Sequence, residues 1–191
     1  MRRLFLALLA LTALALAEPH SHDGFFMNYA FGAGYQDFES GRSKSNHVEI
    51  SGVSSEFDLK LGLALNPALI IHLTLFDVSN QNDIEYNGST LDFDGISSIL
   101  LGVGVTHYTP SNIFFSFTVG VVQVSPFDDA EFDFKDANHG IGIQAEAGKE
   151  LWISDNWAFG AALSLTYIRS SEQNISQSAL GINILLSLTY N

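Results

Sequence analysis

The chain has 191 residues, with 21 Asp and Glu against eight Lys and Arg, no cysteine, and a formal net charge of −13. So acidic a chain has no basic face for a phosphate backbone, which excludes nucleic acid as a partner. The lack of cysteine excludes a small extracellular module held by disulfides, and the length suits one domain with a full core.

The N-terminus has the pattern of a secretory signal peptide. Two arginines precede an apolar run over 4–17 that ends in the small-residue sequence Ala-Leu-Ala. The run is too short to span a membrane as a helix, so we predict that residues 1–17 are cleaved. Residues 18–23 are then expected to be a flexible mature N-terminus, followed by one domain over 24–191. No later stretch has the apolar length of a membrane helix, so a membrane location would require strands.

Eight segments alternate between apolar and other residues over roughly ten positions, the span expected of a tilted membrane strand. They are 24–38, 52–66, 69–78, 95–108, 113–124, 140–152, 157–168 and 178–190. No segment shows a helical period.

The connections between these segments alternate in length. Turn-forming residues make tight turns at 66–68, 109–112 and 154–156, whereas the longer polar connections cover 39–51, 79–94, 125–139 and 169–177. In an up-and-down meander, all the tight turns fall at one end and all the long loops at the other. Within the second long connection, Asn87-Gly88 is also typical of a hairpin turn.

The two faces of each strand differ in the size of their side chains. In the stretch FDLKLGLALN, Phe57 and the leucines share one face, while Gly62 and Ala64 lie on the other, and the same contrast recurs in nearly every segment. A narrow eight-stranded barrel needs small residues inside, and a membrane needs bulky apolar residues outside. The alternative is a soluble exported barrel or sandwich, which would carry long charged side chains on its outer face.

Aromatic residues cluster near the tight-turn end of the segments. Amphipathic rings suit the boundary between a membrane and water, so we predict a membrane-interface role for these side chains, with ordinary strand aromatics as the alternative. The residues are Tyr108, Trp152, Trp157 and Tyr190.

The C-terminal sequence LGINILLSLTYN places apolar residues at alternate positions before the aromatic Tyr190. With the signal peptide, the eight segments and the alternating loop lengths, it resembles the small outer-membrane β-barrels of the OmpX, OmpW and OmpA-transmembrane-domain type. The resemblance implies an all-β, eight-stranded antiparallel up-and-down barrel in a bacterial outer membrane. The implied partners are outer-membrane lipid and, through the C-terminal strand, the barrel assembly machinery. We expect a monomer without a cofactor.

Charged residues occur on the small-residue face, where they would point into the lumen. A buried charge must be paired or hydrated, so we predict either a network of ion pairs that plugs the lumen or a narrow acidic path for water and cations. The predicted lumen polar network is Glu56, Asp58, Lys60, His72, Gln144 and Glu146, in which Lys60 and Glu146 come from opposite walls.

Two further groups of residues have the chemistry of metal ligands. The long connections are rich in Asp and Glu, which either bind Ca²⁺ or Mg²⁺ or form a solvated rim, and we favour the rim. His20 and His22 near the mature N-terminus could ligate a transition metal, but Pro19 has no amide to complete an N-terminal copper site. We predict no metal.

A plugged barrel with acidic surface loops and a structural or surface-interaction role is therefore the predicted function. The first alternative is a narrow channel or transporter for small solutes or cations. The second is a lipid-modifying enzyme, for which His107-Tyr108-Thr109 is the nearest local candidate. That histidine has no neighbouring serine and acid, so we predict that the chain is not an enzyme and has no catalytic residues.

Overall fold

The computed structural model describes residues 20–43, 46–80, 84–86, 89–91, 95–126, 139–172 and 175–191. The predicted signal peptide and the acidic side chains of 81–94 and 127–138 lie outside the described residues. The strands are β1 (Phe25–Ser43), β2 (Asn46–Asn66), β3 (Leu69–Asn80), β4 (Ile84–Tyr86), β5 (Ser89–Leu91), β6 (Ile96–Tyr108), β7 (Ile113–Pro126), β8 (His139–Trp152), β9 (Trp157–Glu172) and β10 (Ile175–Tyr190).

Eight of these strands form one closed antiparallel barrel in the order β1-β10-β9-β8-β7-β6-β3-β2. The barrel closes where β1 pairs with β10, for example at Met27 and Tyr190. Successive barrel strands along the chain are paired, and β3 pairs with β6. The intervening β4 and β5 form a separate hairpin, with Ile84 opposite Leu91. The predicted fold class is therefore confirmed. The strands on either side of 87–88 pair as the predicted hairpin requires, and 87–88 themselves lie outside the described residues. In the described part of the chain, no helix is long and apolar enough to cross a membrane.

The barrel strands extend further at one end than the sequence predicts. The predicted long connections 39–51 and 169–177 are mostly strand, because β1 and β2 run to Ser43 and from Asn46, and β9 and β10 leave only 173–174 between them. Backbone pairing continues there between polar residues, such as Glu39 opposite Glu49, after the apolar alternation has ended. Apolar periodicity marks only the apolar band of a strand, so it underestimates these strands. We call this end the loop side and the opposite end the turn side.

The outer face of the barrel is apolar and exposed, as predicted. Phe31 and Leu73 are 63% and 61% exposed, whereas Thr74, next to Leu73 on the inner face, is fully buried. Gly104 shows why the inner face is small: a Cβ atom there would collide with the His72 ring and with the backbone oxygen of Phe117. The crowded interior therefore requires glycine at this position.

Large apolar side chains also lie inside the barrel, which the sequence analysis did not predict. They form two layers, one near each end. The loop-side apolar layer contains Phe38, Ile50, Phe76, Val78, Ile96, Leu100, Val122, Ile168 and Ala179. The turn-side apolar layer contains Phe26, Ala30, Ile70, Tyr108, Phe114, Ala162 and Leu185. The polar residues of the predicted network lie between these two layers.

Candidate functional site

The centre of the polar layer is Lys60 on β2. Its Nζ lies 2.6 and 2.8 Å from the two carboxylate oxygens of Glu146, which comes from β8 on the opposite wall. The same Nζ is 3.1 Å from Oδ2 of Asp58, two residues earlier on β2. All three side chains are almost completely buried. One ammonium group therefore links two carboxylates across the width of the lumen.

Glu56 is held by neutral donors rather than by a cation. Its Oε1 accepts hydrogen bonds from Nε2 of Gln144 at 2.8 Å and from Oγ of Ser164 at 2.6 Å. Its Oε2 accepts one from Nδ2 of Asn183 at 2.6 Å. Gln144 Nε2 also donates to Asp58 at 2.8 Å, so this amide joins the two carboxylates of β2. Three neutral donors are the kind of environment that lets a carboxylate remain inside a barrel.

His72 lies in a neighbouring group of hydroxyls. Its Nδ1 is 2.8 Å from Oγ1 of Thr74, and its Nε2 is 3.1 Å from Oγ1 of Thr106 and 3.4 Å from Oγ of Ser116. Thr74 in turn is 3.3 Å from Thr118. His72 therefore faces the lumen as predicted, but its hydrogen bonds are to hydroxyls rather than to the carboxylates.

The structure thus brings together five of the six predicted network residues and adds others. Ser164 and Asn183 were not predicted as members, and neither was Ser54, whose Oγ donates to Oδ1 of Asn183 at 2.8 Å. Ser164 and Asn183 each lie between two outward apolar residues on their own strand, and that alternation is the sequence signal that could have identified them.

The carboxylates of Glu56, Asp58 and Glu146 are close enough to be considered as cation ligands, since one oxygen from each lies within 4.8 Å of the others. Lys60 Nζ already lies within hydrogen-bond distance of two of these residues. A metal ion bound there would have to share the space with this ammonium group. The ammonium is thus the cation that the described side chains provide for the cluster.

Tyr108 is not a membrane-interface residue, so that prediction was wrong. Its side chain is 3% exposed and belongs to the interior, where its hydroxyl donates to Oε1 of Glu150 at 3.2 Å. Oγ1 of Thr189 donates to the same oxygen at 2.6 Å. The physical reason is strand parity: Leu101 and Val103 of β6 face outward, so the even-numbered Tyr108 faces inward. Glu150 was not predicted from the sequence; with Glu56, Asp58 and Glu146 it is the fourth buried acidic residue described on β2 and β8.

The remaining predicted interface aromatics divide into two groups. Trp157 and Tyr190 are paired partners on β9 and β10, and their rings meet edge to face with centroids 5.1 Å apart. Both are partly exposed at the turn side, where a membrane boundary would lie. Trp152 is at an inward-facing position of β8. Its ring contacts those of His20 and His22, with centroids 5.6 and 5.0 Å apart.

His20 and His22, in the segment predicted to be flexible, are both in contact with the barrel. The His22 ring is buried and stacks on Tyr108, with centroids 3.6 Å apart. Burial lowers the pKa of the His22 imidazole below its ordinary value of 6.5, against the opposing effect of nearby Asn191, Asn112 and Asp23. The flexibility of 18–23 itself stays a prediction.

The chain was compared with protein families, curated proteins and solved structures. No protein-family model and no curated protein matches the chain. Among solved structures, the chain is similar to Ail, the attachment invasion locus protein of Yersinia pestis, with 10% identity, a TM-score of 0.40, and coverage of 84% of this chain and 97% of that one. For Neisserial surface protein A, the identity is 14% and the TM-score 0.43, with coverage of 85% of this chain and 98% of that one. For the outer membrane protein OprG from Pseudomonas aeruginosa, the identity is 11% and the TM-score 0.49, with coverage of 92% of this chain and 99% of that one.

At these identities and TM-scores, we draw no function from the likeness. The chain's own geometry is more informative: it is a closed eight-stranded barrel with an exposed apolar outer face, and its filled interior has a polar layer between two apolar layers. A water-soluble barrel exposes polar residues on its outer face, whereas a transmembrane barrel requires an apolar one. The chain is therefore an outer-membrane type of β-barrel, in agreement with the predicted location in a bacterial outer membrane.

Proposed function

We propose that this protein is a closed outer-membrane barrel with a structural and surface-interaction role, rather than a channel or an enzyme. The observation that carries the proposal is the filled cross-section of the lumen. Leu100 and Val122 are fully buried in the loop-side apolar layer, and Phe26 is buried in the turn-side layer. Between them, Lys60 and Glu146 join opposite walls. Together these three layers support a lumen without a continuous path for water.

The polar layer favours closure over a cation path. A path for hydrated cations needs carboxylates that water can reach, but Asp58 is fully buried and Glu56 is 2% exposed. Oδ2 of Asp58 accepts hydrogen bonds from Lys60 and Gln144, and both oxygens of Glu56 accept hydrogen bonds from neutral protein donors. Removing these partners would leave charges in a low-dielectric interior at a cost of several kcal/mol, so the network holds the walls together.

The long strands on the loop side support the surface role. β1 and β2 continue as a paired hairpin beyond the apolar band, through Glu39 opposite Glu49. Polar strands that extend past a membrane present a rigid surface to the outside. We therefore propose that the loop-side hairpins are the part of the protein that meets other molecules.

Two histidines bear on the proposal that the chain is not an enzyme. His107, the local candidate from the sequence, faces outward from the end of β6. His72 lies 3.4 Å from the hydroxyl of Ser116, but both side chains are buried in the filled interior. The burial of both side chains supports a role without catalysis.

Planar-bilayer recording of the purified barrel tests the closed lumen. The wild-type protein is expected to give no discrete current steps. Glu146→Ala, which removes the link to Lys60, is expected to give brief, small openings. Lys149→Ala is the matched control, because Lys149 is an exposed residue on the outer face of the same strand. Regular current steps from the wild-type barrel would contradict the proposal and favour the channel alternative.

A further inference from the structure

The turn-side mouth of the barrel is covered by the residues just before β1. The backbone N–H of His20 donates to the carbonyl oxygen of Asp155 at 2.9 Å, in the β8–β9 turn. Gly24 accepts a hydrogen bond from the N–H of Ala64 at 2.9 Å. His20 and Gly24 both have left-handed backbone angles, with φ of 58° and 72°. These two bends direct residues 20–23, which we call the strap, across the mouth before the chain enters β1.

The most deeply buried side chain of the strap is that of His22. His22 is 5% exposed and lies between two aromatic residues of the barrel. Its ring is nearly parallel to that of Tyr108, at an interplanar angle of 17°. On β8, Trp152 contacts the same ring at 5.0 Å and also contacts His20. Stacking of this kind needs a flat, desolvated ring and buries the faces of the two rings against each other.

The surroundings of His22 suit a neutral ring and not a charged one. Within the described part of the chain, neither ring nitrogen has a well-aligned hydrogen-bond partner. The side-chain amides of Asn112 and Asn191 lie near the ring and oppose part of the effect of burial on its pKa. The groups that face the ring are Tyr108 of β6, Trp152 of β8, Asn112 in the β6–β7 turn and Asn191 after β10, with Asp23 on the strap itself.

The nearest buried acid, Glu150, lies behind Tyr108 and accepts the hydrogen bond of its hydroxyl. It therefore gives an imidazolium at residue 22 no direct partner. A proton on this ring would place a charge in a buried site, where the nearby Asn112, Asn191 and Asp23 offset only part of the lost hydration.

We propose that the strap is a pH-sensitive cover, which closes the turn-side mouth while His22 is neutral and leaves it when His22 is protonated. Because burial lowers the pKa of His22 in the closed state, protons bind more tightly to the open state. The closed strap is therefore favoured above the ordinary pKa of 6.5 and is lost as the pH falls below it.

Tryptophan fluorescence offers a direct test, because Trp152 and Trp157 are the chain's two tryptophans. In a Trp157→Phe background, Trp152 reports on the strap that covers it. The barrel is refolded in detergent micelles, and acrylamide quenching is measured at pH 8 and at pH 5. We expect weak quenching at pH 8, and stronger quenching with a red-shifted emission at pH 5. Circular dichroism at both pH values establishes that the barrel itself remains folded.

Two variants connect the response to the right histidine. His22→Phe keeps a flat ring that cannot be protonated, so quenching is expected to stay weak at both pH values. His20→Phe, the matched control, is expected to keep the response. The proposal is overturned if Trp152 is quenched equally at both pH values, or if His22→Phe shows the same increase as the parent. Neither fluorescence result depends on the conductance of the barrel at neutral pH. The closed lumen and the pH-sensitive strap are therefore tested independently.

Discussion

Nζ of Lys60 on β2 lies 2.6 Å from Oε1 of Glu146 on β8, and these two strands are separated by three others in either direction around the barrel. The pair therefore spans the diameter of the lumen. Its members are neighbours only because the barrel is closed, since 86 residues of sequence separate them. One positive charge, on Lys60, therefore has to compensate two carboxylates, those of Glu146 and Asp58.

Lys60→Met is therefore expected to be strongly destabilising. The substitution keeps an unbranched side chain, shorter by the ammonium group, and leaves the carboxylates of Glu146 and Asp58 without their cation. Removing one partner of a buried pair costs about 3–5 kcal/mol in the free energy of unfolding. Urea unfolding of the barrel in lipid or micelles measures this loss.

Lys149→Met is the control, because this exposed lysine is on the outer face of β8. Its effect is expected to be much smaller. Lys60→Met combined with Glu146→Gln should recover part of the lost stability, since one of the unpaired charges has been removed. Equal stabilities for Lys60→Met and the wild type would show that the network contributes nothing.

Crowding inside the barrel gives a second prediction, tested on adjacent residues of β6. Gly104→Leu places a side chain against the His72 ring and the Phe117 backbone, so it is expected to cost about 1–3 kcal/mol or to prevent folding. Val103→Leu, one position earlier, adds a methylene to the exposed outer face and is expected to be nearly neutral. Heat-modifiable electrophoretic mobility and urea titrations distinguish these outcomes. Similar effects at both positions would contradict the assigned faces.

The faces and the closure of the barrel were predictable because apolar alternation is strongest where a strand crosses an apolar environment. FDLKLGLALN illustrates this: Leu59 and Leu61 face outward, and Asp58 and Lys60 face inward, as the small-residue face of the other strands indicated. The direction of each side chain follows from its parity alone.

Other features could not be obtained from alternation. Leu185 lies inside the barrel between the outward residues Ile184 and Leu186, and three successive apolar residues carry no alternation to read. Leu100 is similar, next to Ile99 and Leu101. Which polar residues hydrogen-bond to one another depends on the stagger of opposite walls, which the sequence of one strand does not specify. The error at Tyr108 was different, since the parity of β6 already assigned it to the interior.

The stability of the folded barrel is expected to depend on pH through His22. Its pKa is lowered in the folded state, so the unfolded chain binds more protons than the folded barrel below the ordinary value of 6.5. Its contribution to stability is complete above that pH and decreases as the pH falls. Urea midpoints at pH 8 and pH 5 measure the decrease, and His22→Phe should reduce the difference between them. A difference that His22→Phe leaves unchanged would assign the pH dependence to other groups.

The most direct test of the closed transmembrane barrel is a nitroxide scan along β10, because the chain has no cysteine and each single cysteine can be labelled uniquely. Labels are placed at positions 182 to 188 in lipid bilayers, and their collisions with oxygen and with a water-soluble nickel complex are recorded. We expect high oxygen accessibility at Ile182, Ile184, Leu186 and Leu188, and low accessibility to both reagents at Asn183, Leu185 and Ser187. Nickel access at the odd positions would show a water-filled lumen, and loss of the two-residue alternation would contradict the barrel's orientation in the membrane.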